Sequence, residues 1–482
     1  MSQPDTLTSP AVRPRVWVGS LVYLGTLVAA GGLFLLVWKA GGGLIAGGEA
    51  TTVAGAKGGG VDVVLHVLAT LVAVIALGLA LGRVCRWIGQ PPVIGEVIAG
   101  ILLGPSVLGA VWPDAMHALI PAKAADPNGL VPAAVKAVAQ IGVVLYMFLV
   151  GLELNAARLK KQAAAAVAVS HAGILAPFVL GSAVALLLFP TLAPAGTPFL
   201  SFALFMGVAT AITAFPVLAR ILTDRKMERT ELGVVALGCA AADDVTAWCL
   251  LAVVVGVAQA EAGRVVGVLA GAGAFVAVML FAVRPLVGRL SRRLDAGSGP
   301  LPTLVTAGTF LAVLMAALTT EAIGIHALFG AFLLGAVVPH DGRLAREFNA
   351  KLRDPVTVLL LPAFFAYTGM RMQLGLMGGW AEWGWCGLIV LVATVGKFGG
   401  AMLAARLTGQ GWRSAAALGA LMNTRGLMEL IVLNIGLDMG VISPTLFAMM
   451  VVMALVTTAM TSPLLSLILR QPPAEEPVPA PG

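Results

Sequence analysis

Fourteen apolar segments of membrane-spanning length follow one another along this chain, near residues 16–38, 61–81, 91–110, 135–155, 163–188, 198–221, 230–257, 264–287, 301–320, 322–338, 356–374, 385–406, 413–435 and 444–468. A helix of about 20 apolar residues crosses the hydrocarbon of a bilayer. Backbone N–H and C=O groups find no water there, so the chain must satisfy them within helices or a closed barrel. Barrel strands alternate in polarity, and these runs do not. The expected fold is therefore an all-α polytopic membrane protein. With 59% hydrophobic and only 11% charged residues among 482, the chain has more apolar surface than a soluble core of this size can hide.

The net charge of +7 is a topology signal and not a nucleic-acid patch, because the basic residues gather in alternate loops. Arg13 and Arg15, Arg83 and Arg86, Lys160 and Lys161, Arg225 and Lys226, Arg292 and Arg293, Arg346 and Lys351, Arg406 and Arg413, and Arg470 fall on one side. Lys39, Lys57, Lys123, Lys136 and Arg264 fall on the other. The bias implies a multi-pass protein of the cell membrane, in a bacterium the inner membrane, with both termini cytoplasmic and lipid as its surroundings. Segment 16–38 is too long for a signal-peptide core and reads as an extra first helix, so that 1–60 comprises this helix and a Gly-rich external loop. The Pro-rich stretch 469–482 reads as a disordered cytoplasmic tail. Cys85, Cys239, Cys249 and Cys386 show no pairing motif and read as small hydrophobes.

The two halves echo one another. Ala99-Gly-Ile-Leu-Leu-Gly104 resembles Gly330-Ala-Phe-Leu-Leu-Gly335, and Tyr146-Met-Phe-Leu-Val-Gly-Leu152 resembles Phe364-Phe-Ala-Tyr-Thr-Gly-Met370, in the same order. This suggests six-helix repeats at 61–257 and 301–468, inverted because one linker helix, 264–287, lies between them. Segment 163–188 then matches 385–406, 198–221 matches 413–435, and 230–257 matches 444–468. Inverted-repeat transporters build their sites from such matched helices.

The polar residues collect there. Asp243 and Asp244 stand together in a span that is otherwise apolar from 232 to 257. Each intramembrane carboxylate costs at least a few kcal/mol, which makes the pair an ion or proton pathway by default. Adjacent positions are about 100° apart around a helix, so the two acids face different partners. Like charges so close resist simultaneous ionisation, and such a site binds a proton or a small cation in competition. Lys397 is the obvious counter-charge, either clamping Asp243 or releasing a proton during the cycle. Thr210, Thr213 and Pro216 interrupt 198–221; the proline should free a carbonyl near residue 212, and such oxygens suit a hard monovalent cation. Asn423, Thr424, Arg425 and Glu429 interrupt 413–435, where Arg425 and Glu429, four apart, read as a neutralising structural pair. Glu96, Gln140, Glu153, His171 and His326 are weaker candidates.

Taken together, Ile94-Gly-Glu-Val-Ile-Ala-Gly-Ile-Leu-Leu-Gly-Pro-Ser106, Phe148-Leu-Val-Gly-Leu-Glu-Leu154, Ile212-Thr-Ala-Phe-Pro-Val-Leu-Ala-Arg-Ile-Leu222, Asp243-Asp244 and Asn423-Thr-Arg-Gly-Leu-Met-Glu-Leu430 resemble the second subfamily of monovalent cation:proton antiporters. That subfamily includes bacterial sodium/proton and potassium/proton antiporters and plant cation/proton exchangers. The resemblance implies a sodium/proton-antiporter-like fold of thirteen core helices, here with one extra N-terminal helix. It further implies homodimers, elevator-like alternating access and two crossed unwound helices beside the acidic pair. On this likeness Asp244 is the principal ion and proton carrier, Asp243 pairs with Lys397, and Thr213 lies at the crossing. The Asp-Asp pattern resembles electrogenic members, and the plant-type runs tilt the ion toward K⁺ over Na⁺. No cofactor and no soluble nucleotide-binding domain are expected.

Two other readings use the same residues. A channel or solute carrier on the inverted-repeat scaffold does not need Lys397 opposite the acids. An intramembrane aspartyl protease also carries two buried aspartates, but that chemistry needs them on facing helices sharing one proton.

Overall fold

A computed structural model describes residues 62–153, 163–227, 230–258, 262–297 and 299–469, with isolated positions between 25 and 39. The extra first helix, apart from those positions, and the tail beyond 469 lie outside the described residues. The described residues are predominantly helical: α1 Val63–Trp87, α2 Pro92–Leu103, α3 Leu130–Glu153, α4 Ala163–Leu192, α5 Phe199–Ala211, α6 Phe215–Asp224, α7 Glu231–Ala258, α8 Ala262–Val278, α9 Arg284–Asp295, α10 Thr303–Ile323, α11 Ala327–Val337, α12 Arg343–Asp354, α13 Leu361–Met370, α14 Trp380–Leu407, α15 Trp412–Met422, α16 Leu427–Asp438 and α17 Pro444–Ile468. Short turns at Leu108–Val111 and Pro113–Leu119 follow α2.

Among the described residues, ten helical stretches are long and apolar enough to span a bilayer by themselves, and α15 with α16 makes an eleventh span bent by 42°. The expected segments 198–221 and 322–338 are not long single helices. The first is broken between α5 and α6, and the second is only α11, because the left-handed Gly324 (φ 96°) ends α10 and turns the chain. Segment 356–374 instead extends backwards: π-turn Pro355–Leu360 joins α12 to α13 as one long element. Proline cannot donate the regular helix bond, and a wider turn absorbs the defect.

The helices pack in two groups. In one, α1, α2, α3, α10, α11 and α13 lie against each other; in the other, α4–α7 pack with α14, α15 and α17. Helix α16 bridges them, touching α5 and α17 on one side and α13 on the other. In lipid, helix association relies on close packing, which favours small residues at contacts. The α3–α11 contact is of this kind, since Gly151 faces the carbonyl of Phe332 and Gly335 faces that of Phe148. Gly100 of α2 and Gly369 of α13 make the same contact. Leu65, Leu68 and Val72 on α1 and Leu311, Leu314 and Leu318 on α10 point outward, as lipid-facing residues do. By contrast α16 is buried from Leu427 through Gly436.

Candidate functional site

The site forms where the two broken spans cross. Helix α5 stops at Ala211; Ile212 and Ala214 are extended, and α6 restarts at Phe215 with Pro216 in its first turn. The proline ring would clash with the carbonyl four residues back, so the chain leaves the helix before it. Helices α15 and α16 are separated by 423–426. A side chain at Gly426 would place its Cβ 2.7 Å from Val217 Cγ2, so the two breaks approach more closely than any larger residue allows. They are tied together directly. The Ala214 N–H donates to the Thr424 carbonyl at 3.0 Å, and the Thr213 hydroxyl lies 3.1 Å from the Met422 carbonyl.

Breaking α5 exposes its last carbonyls. Arg425 donates to Ala209 O at 3.0 Å and to Thr210 O at 2.5 Å, while Lys397 Nζ donates to Ala211 O at 2.6 Å. Two cations thus cap the negative end of the half-helix. The sequence expectation was a carbonyl near 212 left open for a transported cation. The break frees the carbonyls of 209–211, and the side-chain cations of Arg425 and Lys397 bond to them. The Thr210 hydroxyl is also engaged, with the carbonyls of Pro177 and Met206 at 2.9 and 2.8 Å.

Asp243 and Asp244, on α7, are both fully buried. Asp243 accepts from Lys397 Nζ at 2.7 Å, from Ser170 Oγ at 2.5 Å and from Thr213 Oγ1 at 2.6 Å. Asp244 turns away from this cluster and neither of its oxygens has a hydrogen-bond partner. It lies toward the backbone N–H of Phe215, the first residue of α6, without reaching hydrogen-bond geometry.

Arg425 and Glu429 do meet, but at 3.4 Å, and the second Glu429 oxygen has no partner. The guanidinium spends its shorter bonds on the α5 carbonyls, so it joins the two breaks as well as neutralising Glu429. Three buried carboxylates, Asp243, Asp244 and Glu429, therefore face two buried cations, Lys397 and Arg425. Asp244 is the carboxyl group with neither a cation nor a hydrogen-bond donor on it. Both amide atoms of buried Asn423 also lack partners, which is unusual for a buried polar group. The Thr424 hydroxyl has only a long contact, 3.4 Å to Thr461 Oγ1.

Several participants escaped the sequence reading. Ser170 binds Asp243, and the one available signal was its place beside His171 in an apolar helix. Thr458 donates to Arg425 O at 2.7 Å and accepts from Arg425 N at 3.1 Å, holding the second break in shape. Trp248, one turn beyond Asp244, is buried with its indole N–H unpartnered. Among the weaker candidates, Glu153 accepts from Asn349 at 3.2 Å and His326 precedes α11 without a side-chain capping bond; neither has a hydrogen bond to the acidic pair.

A membrane bundle with two crossed, broken helices beside a buried acid is an ion-transporter architecture. The overall fold resembles that of a solved structure: the sodium proton antiporter MjNhaP1 from Methanocaldococcus jannaschii superposes with a TM-score of 0.59 over 85% of this chain and 97% of that one, at 14% identity. The transmembrane sodium/hydrogen exchanger family matches residues 70–471, and the chain belongs to that family. It is 41% identical to the Na⁺/H⁺ antiporter NhaS4 of Synechocystis sp. over 84% of this chain and 97% of the relative. It is 39% identical to cation/H⁺ antiporter 19 of Arabidopsis thaliana and 34% identical to K⁺/H⁺ antiporter 1 of Saccharomyces cerevisiae. Those alignments cover 83% and 79% of this chain, which spans 49% and 43% of the plant and yeast relatives.

Proposed function

We propose that the protein exchanges a monovalent cation, K⁺ or Na⁺, for H⁺ across the cell membrane, with Asp244 carrying each in turn. The observation that carries this reading is the bonding of Asp244: a fully buried carboxylate without a partner, in a family of exchangers. A proton and a small cation each neutralise that charge and cannot do so together, so occupancy by one displaces the other. Alternating exposure of such a group to the two sides couples their opposite movements.

Asp243 is the fixed member in this scheme, with Lys397 as its counter-charge and Thr213 and Ser170 orienting it. Arg425, Thr210, Pro216, Asn423, Thr424 and Glu429 maintain the crossing. If Lys397 also releases a proton when Asp243 rearranges, more than one proton moves per cation. Net charge then crosses, and each charge is worth about 2.3 kcal/mol per 100 mV of membrane potential. The two packing groups suit an elevator: α4–α7 with α14–α17 carry the site, and the group built on α1–α3 and α10–α13 forms the fixed, dimerising part. Inverted repeats at 61–257 and 301–468, cytoplasmic termini and a bacterial inner-membrane location belong to the same reading. Proteolysis is disfavoured, because the two acids share one helix and one of them is already held by a lysine.

The test is proton flux in proteoliposomes with an imposed pH gradient, adding K⁺, Na⁺ or choline. Collapse of the gradient by K⁺ or Na⁺ but not choline is expected. No response to either cation from folded protein would refute antiport.

A further inference from the structure

A small depression of about 30 Å³ opens at the end of α16 remote from the crossing, with α3, α11 and α13 on its other sides. Its inner wall includes Ile431, Ile435 and Phe364, all buried. Its rim is charged. Asp438, the last residue of α16, lies 2.8 Å from Lys136 Nζ of α3 through one oxygen and 2.7 Å from Arg371 Nη2, just after α13, through the other. Arg371 also donates to Asn434 Oδ1 at 2.8 Å, and Asn434 Nδ2 donates to Thr368 Oγ1 at 2.8 Å. The last two turns of α16 are thus tied by polar side chains to the opposite helix group.

We propose that Asp438, clamped between Lys136 and Arg371, is a latch that closes this face of the cation pathway and opens when Asp244 is to be reached from it. This deepens the antiport reading and rests on it. Helix α16 runs uninterrupted for 12 residues from Leu427, next to Gly426 at the crossing, to Asp438. It is therefore a rod about 18 Å long joining the ion site to the latch. The latch side chains are 34%, 31% and 22% exposed for Lys136, Asp438 and Arg371, in contrast to the fully buried Asp243–Lys397 pair. Partly exposed pairs are weak, and two of them bias an open–closed equilibrium by about tenfold, enough to favour closure and little enough to release it within a cycle. Lys136 lies on the face poor in basic residues, so by the charge bias this is the outer mouth.

The test uses Ile431→Cys, whose parent side chain is 2% exposed in the depression wall, in full-length protein with Cys249→Ala, reconstituted in nanodiscs. A charged maleimide reports how often the depression opens. Asp438→Asn should raise the labelling rate about tenfold and Lys136→Met by a smaller factor, while Asp438→Glu stays near the parent rate. Unchanged labelling in Asp438→Asn overturns the latch; if that variant does not fold, unchanged labelling in Lys136→Met does so. Labelling needs no transport, so absent cation exchange in proteoliposomes would sink the antiport reading while leaving the latch measurement intact.

Discussion

Asp243 and Asp244 are neighbours in sequence and opposites in bonding: the first accepts from Lys397, Ser170 and Thr213, and the second from nothing. The rotation of one residue around α7 produces the difference. Asp243 turns into the space between α4, α14 and the first helix break, where three donors converge. Asp244 turns out of that cluster with its charge unmatched. On the proposed reading, the pair thus separates holding the structure from binding the ion.

Asp244→Asn should reduce cation-dependent proton flux in proteoliposomes to the level of protein-free liposomes. The amide keeps the shape and removes an uncompensated charge whose burial costs several kcal/mol. Thermal stability should therefore be equal or higher than in the parent. Substantial coupled exchange in this variant would remove Asp244 as carrier.

Lys397→Met should destabilise the protein by about 3–5 kcal/mol, because it strands buried Asp243 without a counter-charge and leaves Ala211 O without its donor. Adding Asp243→Asn should recover part of the loss, since the remaining group is neutral. Melting in detergent of both single variants and the double variant measures the coupling. An additive result would mean the pair contributes nothing.

The apolar runs made the helical bundle legible in the sequence, and the isolated charges marked where its chemistry sits. Asp243, Asp244, Lys397 and Arg425 stand out because a charge in a 20-residue apolar run demands either a function or a neutralising partner. Pro216 likewise disclosed a break. What stayed hidden was whatever depends on rotation about a helix axis. Ser170 looks like any small polar residue until α4 is turned toward Asp243, and Lys136, Arg371 and Asp438 look like ordinary residues at helix ends until the fold brings them together. The partners of the freed α5 carbonyls are hidden for the same reason, since the cations that reach them come from residues 397 and 425.

Ser170→Ala should cost about 1.5–3 kcal/mol, the worth of a hydrogen bond to a charged acceptor, while leaving Asp243 paired with Lys397. Exchange should persist, because Asp244 is untouched. Loss of exchange with unchanged stability would show that Ser170 acts on the ion itself.

Gly151→Ala and Gly335→Ala should each lower the melting temperature without any change near the acids. An added Cβ at Gly151 falls 2.2 Å from the Phe332 carbonyl oxygen, and one at Gly335 falls 2.3 Å from that of Phe148. Backbone cannot swing aside as a side chain does, so the penalty lies at or above the usual ~1–3 kcal/mol for overpacking. Because both substitutions push α3 from α11, the double variant should lose less than the two losses combined.

Arg425→Lys should impair exchange although it preserves the charge. The planar guanidinium reaches Ala209 O and Thr210 O with separate nitrogens and lies beside Glu429; a single ammonium on a shorter head cannot span the three. At least one α5 carbonyl is then left buried and unbonded, at a cost of about 1–3 kcal/mol, and the crossing loosens where Thr213 must hold Asp243. Melting temperature and exchange should therefore fall together. Arg425→Lys with parental stability and parental flux would show that neutralising Glu429 is the arginine's whole contribution, and that its bonds to the broken helix are incidental.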